Sequence, residues 1–246
     1  MGIGALTASD TDTGAFLLLG SPLFVTVTAV GSLTRLRGRR PGTSALRHGL
    51  VDDVNEPALV IPYSRALGVA AVLVPVSILL VIAPLAVAFW VDLAMEGAHV
   101  DVLVPLVGLS AATGYMAWFL VGIGRKKLSR GVLALTLGGV YHRSWAFRSF
   151  FPWHTVVSVS TGQSPESPVI TMVVYNNSES WFRRTSRLWK QDEFRLAPHM
   201  VVKAAYLSVD PALAYHALRF YHAHPEARAE LADGTALDRL RTARLD

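Results

Sequence analysis

Residues 66 to 91 of this 246-residue chain hold no charged side chain: ALGVAAVLVPVSILLVIAPLAVAFWV. As a helix rising about 1.5 Å per residue, that run reaches roughly 39 Å, enough to cross a hydrocarbon layer of about 30 Å with some tilt. Pro75 and Pro84 would weaken a helix in water, but membrane helices tolerate them because neighbours re-satisfy the freed carbonyls. A second uncharged run follows at 102–124, VLVPLVGLSAATGYMAWFLVGIG. Asp92, Glu96 and Asp101 lie in the connection between the two, with no Lys or Arg. The pattern predicts a transmembrane helical hairpin closed by an acidic turn. Trp90 falls near the loop end, where an amphipathic ring suits the interface, and Gly108, Ala111, Ala112 and Gly114 permit close helix contact.

A third stretch, 13–34, TGAFLLLGSPLFVTVTAVGSLT, is also uncharged but interrupted by Gly20-Ser21-Pro22. It reads as a further N-terminal span; an interfacial segment or β-structure remains the competing reading. Charge orients the chain. Arg35, Arg37, Arg39 and Arg40 follow this stretch, Arg65 precedes the 66–91 run, and Arg125, Lys126 and Lys127 follow 102–124. Two spans or three, these cations fall on one side, which the positive-inside rule assigns to the cytoplasm. The expectation is a multi-pass protein of the plasma membrane with membrane region 1–127, a cytoplasmic domain at 128–224 and a charged, solvent-facing tail or short helix at 225–246. Residues 41–64 are expected to form a cytoplasmic connection with a short apolar strand or turn at Ala58 to Ile61.

Composition agrees and excludes several chemistries. Apolar residues make up 52% and charged residues 17%, too little charge to cover a soluble surface. The absence of cysteine removes disulfides, thiol catalysis and Cys-ligated metal. With its first basic residue only at Arg35, the chain lacks the n-region of a secretory signal. No HExxH, glycine-rich phosphate loop or GxSxG motif occurs. His199, His216, His222 and His224 lack the spacing of a helix-borne metal pair, so neither metal nor cofactor is expected. Asn176-Asn177-Ser178 matches a glycosylation acceptor, but its expected side of the membrane argues against use.

After Gly131 the period turns to two. Leu133 to Thr136, a turn at Gly138-Gly139, and Tyr141 to Phe147 read as strands. Pro152-Trp153 leads into an apolar strand at Val156 to Val159, Gly162 to Ser167 is turn-rich, and Val169 to Tyr175 is β-branched. Trp181-Phe182, Leu188-Trp189 and Leu196 start shorter candidates. Asp210 suits an N-cap and Pro211 a first helical position, with Ala214, Ala217, Leu218 and Tyr221 on one stripe. The fold class expected is α+β: membrane helices, then a small antiparallel β-domain closed by a C-terminal helix.

The stretch LSRGVLALTLGGVYHRSWAFRSFFPWHTVVSV resembles the opening strands of pleckstrin-homology-like domains of bacterial membrane proteins, and LRFYHAHPEARAEL is similar to uncharacterised actinobacterial chains. The resemblance covers residues 129 to 223 and the hairpin, and the strands after Asn177 match it poorly. It implies a small β-sandwich or barrel capped by a helix, with no catalytic residue and no assumed phosphoinositide ligand.

One cluster stands out as a contact surface. Arg183, Arg184, Arg187 and Lys190 alternate with Trp181, Phe182, Leu188 and Trp189, and Arg143 and Arg148 can join them across a sheet. Beside a membrane, cations and aromatics suit anionic headgroups or a protein partner; equally, the aromatics can belong to the domain's core. The net charge of +5 permits nucleic acid too, but Trp-rich segments next to membrane helices argue against it. The functional expectation is a non-catalytic, membrane-tethered interaction or scaffolding subunit of a larger membrane assembly, meeting lipids and other integral membrane proteins. The alternative is an anionic-lipid-binding or lipid-handling protein, with a small interfacial enzyme after it.

Overall fold

A computed structural model describes residues 42–97, 100–125, 130–164, 167–175, 177–186 and 199–245, together with Thr28 and Ser32. Apart from those two helical residues, the 13–34 stretch lies outside the described residues. The chain divides into two compact units, one built from 1–35 and 69–126 and the other from 36–68 and 127–246.

The first unit contains the expected hairpin. Helix α1 spans Arg65–Glu96 and α2 spans Val100–Gly124, with Pro75, Pro84 and Pro105 inside them. Neither is a core helix, because only 11% of the most apolar window of α1 and 17% of that of α2 is buried. Val87, Leu80, Val104 and Val107 leave more than half of their surface exposed. Apolar side chains open on this scale are consistent with lipid rather than water around them. Trp90 Nε1 donates to Ser110 Oγ at 3.2 Å, which ties the two helices near the loop end.

The second unit is α+β. A six-stranded antiparallel sheet runs β1 (Arg47–Val51), β2 (Glu56–Pro62), β3 (Val132–Thr136), β4 (Gly139–Arg143), β5 (Phe147–Pro152) and β8 (Trp181–Arg184). A three-stranded sheet pairs β6 (Val156–Ser164), β7 (Ser167–Val174) and β9 (Met200–Lys203). The segment read as a connection therefore supplies two strands: β2 lies between β1 and β3, with Leu59 opposite Leu135 and Ile61 opposite Leu133. Its prolines sit near its two ends, where they disturb the ladder least.

Other local expectations need correction. The single strand read from Tyr141 to Phe147 is two, broken where Ser144 N donates to the Phe147 carbonyl. The turn-rich Gly162–Ser167 stretch is mostly strand, because β6 continues to Ser164 and β7 begins at Ser167. Leu188-Trp189 and Leu196 lie outside the described residues.

The main core gathers one face of the larger sheet (Leu59, Ile61, Leu133, Leu135, Val140, Phe151), the smaller sheet (Ile170, Met172, Met200, Val202) and helix α3 (Pro211–Ala223). Asp210 accepts from Ala212 N at 2.8 Å with Pro211 at the first position, and α3 buries the expected stripe. Residues 225–245 hold short helices, one of the two forms expected there, but they are partly buried rather than solvent-facing. Short helices α4 (Glu230–Asp233) and α5 (Ala236–Arg241) bury Leu231, Ala236 and Leu240 in the same core. Arg228 holds their entry, its Nε donating to the Tyr221 carbonyl at 2.8 Å and its Nη2 to that of His222 at 3.2 Å. Gly234, at φ 87°, makes the left-handed turn between α4 and α5 that a side chain would strain.

Candidate functional site: an arginine row on the sheet

The register brings the candidate cations together. Arg143 of β4 is opposite Arg148 of β5, and Arg148 is opposite Arg183 of β8. Because side chains alternate along a strand, directly paired residues share a face, so these three arginines form a row across three strands. The next row on that face is aromatic: Tyr141 opposite Phe150, and Phe150 opposite Trp181. Tyr141, Ala134, Ala58 and Val51 form a second, smaller core there, with Phe150 and Trp181 packed against it. Tyr141 is buried there, while Phe150 and Trp181 are half-buried.

Asp53, in the turn between β1 and β2, holds the centre of the row. Arg148 Nη1 donates to Asp53 Oδ1 at 2.5 Å, and the Tyr141 hydroxyl donates to Asp53 Oδ2. Burial, and then that hydrogen bond, push the Tyr141 pKa up, so the hydroxyl keeps its proton and donates. Arg183 is exposed, its guanidinium lying 5.3 Å from the centre of the Trp181 ring.

Arg184 alternates to the opposite face, across from Phe147. Arg187, Lys190 and Trp189 lie outside the described residues. Sequence reasoning missed Tyr141 and Phe150, although each is two positions from an arginine of the row, the spacing that puts them on its face. Nothing in the sequence points to Asp53, which stands 95 positions from Arg148.

The opposite face carries a pair with the form of a hydroxyl and its base. The Tyr63 hydroxyl and His142 Nε2 are 2.6 Å apart, and burial pushes the His142 pKa down to about 3. Both side chains are sealed, at 1% and 0% exposure, so no substrate reaches them. Two of the candidate metal histidines make structural contacts: His222 Nε2 lies 3.0 Å from the Val156 carbonyl, and His224 stacks on Phe220. Among the described residues no group of three His, Cys, Asp or Glu could hold a metal.

Comparison of the chain with protein-family models, curated proteins and solved structures finds no match. Fold and site define the class on their own terms. This is a membrane protein with two apolar helices long enough to span, and an α+β unit without an evident catalytic constellation among the described residues.

Proposed function

We propose that the protein is a non-catalytic, membrane-tethered interaction subunit whose β unit offers the arginine row to an acidic face of another membrane protein. The observation that carries this reading is the register of Arg143, Arg148 and Arg183, one row of cations bordered by one row of aromatics. Cations beside half-buried rings give a surface both charge for steering and apolar area for affinity. No Asp, Glu, Lys or Arg falls within 66–91 or 102–124, which favours helices that pack on partners over helices that carry ions or protons.

The finer expectations belong to the same reading. Residues 13–34 form a third span, and the β unit faces the cytoplasm of a bacterial cell. It is a variant of the pleckstrin-homology-like type, supported by its two sheets and packed C-terminal helix. Its departure from that pattern is the pair of strands taken from before the hairpin.

The test is purification of the full chain from its native membrane in mild detergent. A stoichiometric integral membrane partner is expected, lost in the R143E/R183E double variant and kept in R219Q, an exposed arginine of α3. A monodisperse lone chain, or equal capture by the double variant, refutes the reading. A second reading, anionic headgroups on the same row, is favoured by Arg183 lying over Trp181. It expects brominated anionic lipid to quench more emission from the wild type than from W181F.

A further inference from the structure

The chain leaves the β unit for α1 and returns to it at one place. Tyr63 N donates to the Gly131 carbonyl at 2.9 Å, and Arg130 Nη2 donates to the Tyr63 carbonyl at 3.4 Å. The contact is close: a Cβ on Gly131 would stand 2.2 Å from the Tyr63 ring.

Three exposed arginines gather at this crossing, all within the β unit. Arg65 is the first residue of α1, Arg130 directly precedes Gly131, and Arg47 opens β1 opposite Val60 on the strand that leads to Tyr63. Arg130 is laid along the first turn of α1, where a Cβ on Gly68 would stand 2.9 Å from its Cδ and 3.0 Å from its Cγ. The three charges feel one another: partial burial first, then Arg65, then Arg47, lower the pKa of Arg130. Among the described residues no carboxylate pairs with any of the three, and the first turn of α1 has no acidic residue.

Like charges held together without a counter-charge repel, and the repulsion is relieved by an anion that accepts from several of them. A guanidinium presents paired N–H groups matched to the two free oxygens of a phosphodiester. The helix that begins at Arg65 is uncharged from 66 to 91, so its start is where lipid headgroups lie when it spans.

We propose that Arg47, Arg65 and Arg130 form a binding site for the phosphodiester headgroup of an anionic phospholipid, at the crossing from the β unit into α1. The site is separate from the row on the sheet face and shares no residue with it. It would fix one lipid against the first turn of α1.

The experiment uses the full chain reconstituted with mixed phosphatidylglycerol and phosphatidylcholine, then extracted and washed in detergent, with retained lipid measured by mass spectrometry. The wild type is expected to keep phosphatidylglycerol in excess over phosphatidylcholine. R65Q and R130Q are each expected to lower that retention roughly five-fold, and R219Q, at an exposed arginine of α3, to leave it unchanged. Gly68→Leu preserves every charge but displaces the Arg130 stem, so it is expected to lower retention as R130Q does. Unfolding midpoints equal to the wild type's check that these variants fold; R47Q, an exposed change at the start of a strand, serves where one does not.

The proposal is overturned by no excess of phosphatidylglycerol on the wild type, by retention unchanged in both R130Q and Gly68→Leu, or by equal loss in R219Q. Inorganic phosphate at matched ionic strength separates the remaining source. If it binds the lipid-free protein and displaces phosphatidylglycerol, the site serves a soluble anion and the lipid assignment fails.

Discussion

Changing Tyr63 to Phe removes one oxygen from a fully buried polar contact inside the β unit, and its cost follows from what His142 has left. The imidazole makes one hydrogen bond, between Nε2 and the Tyr63 hydroxyl at 2.6 Å, while its buried Nδ1 has no partner. Y63F therefore leaves a fully buried ring unpaired at both nitrogens, which costs about 1–3 kcal/mol. That is a visible share of the roughly 5–15 kcal/mol typical of a domain. The same pair sets a pH dependence. His142 has a folded pKa of about 3 against an ordinary value of 6.5, so below 6.5 the unfolded chain takes up a proton that the folded chain refuses. Stability is full above pH 6.5 and declines as pH falls toward 3, with a slope near ~1.4 kcal/mol per pH unit. H142Q keeps a polar group there but does not titrate. In denaturant unfolding of the full chain in detergent, the wild type should lose about 2 kcal/mol more than H142Q between roughly pH 7 and pH 5. Equal acid slopes for the two proteins, or a Y63F midpoint matching the wild type, would show that the ring is hydrated and the reasoning wrong.

Leu231→Ala should cost about 2–5 kcal/mol, since Leu231 is fully buried in the main core; thermal unfolding of the full chain reads it, and a midpoint at the wild-type value would return 225–246 to a surface tail. Gly131→Ala forces a Cβ into the Tyr63 ring and within 2.8 Å of the Arg143 carbonyl, so an overpacking penalty of about 1–3 kcal/mol is expected in the same measurement. Arg239 pairs with Glu230 through Nε at 2.7 Å and Nη2 at 2.5 Å, and this contact holds the Glu230 carboxyl below its usual pKa. Stability from that pair is present at neutral pH and lost as pH falls below about 4.5, so E230Q should flatten the acid limb of the unfolding profile. Asp53→Asn removes the carboxylate that pairs with Arg148 at the centre of the row and should strengthen binding of an acidic partner about five-fold by titration, while lowering stability through the lost Arg148 and Tyr141 contacts.

Length and charge made the two helices legible: the uncharged runs at 66–91 and 102–124 lie inside α1 and α2. The cap at Asp210 and the stripe on α3 were equally legible, because each depends on residues within four positions of one another. Long-range pairing was not. Arg47–Val51 has no alternation to mark it as a strand, and β2 acquires its role only from Leu133 and Leu135, on the far side of the hairpin in sequence. The C-terminal helices misled in another way. Their mixed charge suggested a solvated surface, yet Leu231 of α4 and Ala236 and Leu240 of α5, the last two four positions apart on one face, all reach the main core. In the site, the proximity of Arg143 and Arg148 to Arg183 could be anticipated from strand pairing, but the strand break at Ser144–Ala146 that sets the register could not.

The placement of β2 between β1 and β3 also has a meaning in time. Val132 follows Pro62 by 70 residues, so on a ribosome adding about 5–20 residues per second β2 waits roughly 4 to 14 s for its partner. A lone two-stranded hairpin is marginal in water, and its open edge invites wrong pairings. During that interval both apolar helices are synthesised, and they have their own reason to leave water. Closure of the sheet therefore comes after the membrane segments emerge, and a slow insertion step prolongs exposure of the β2 edge. A nascent chain stalled before Val132 should be protease-sensitive at β1 and β2, and the same strands should become protected once β3 has cleared the exit tunnel.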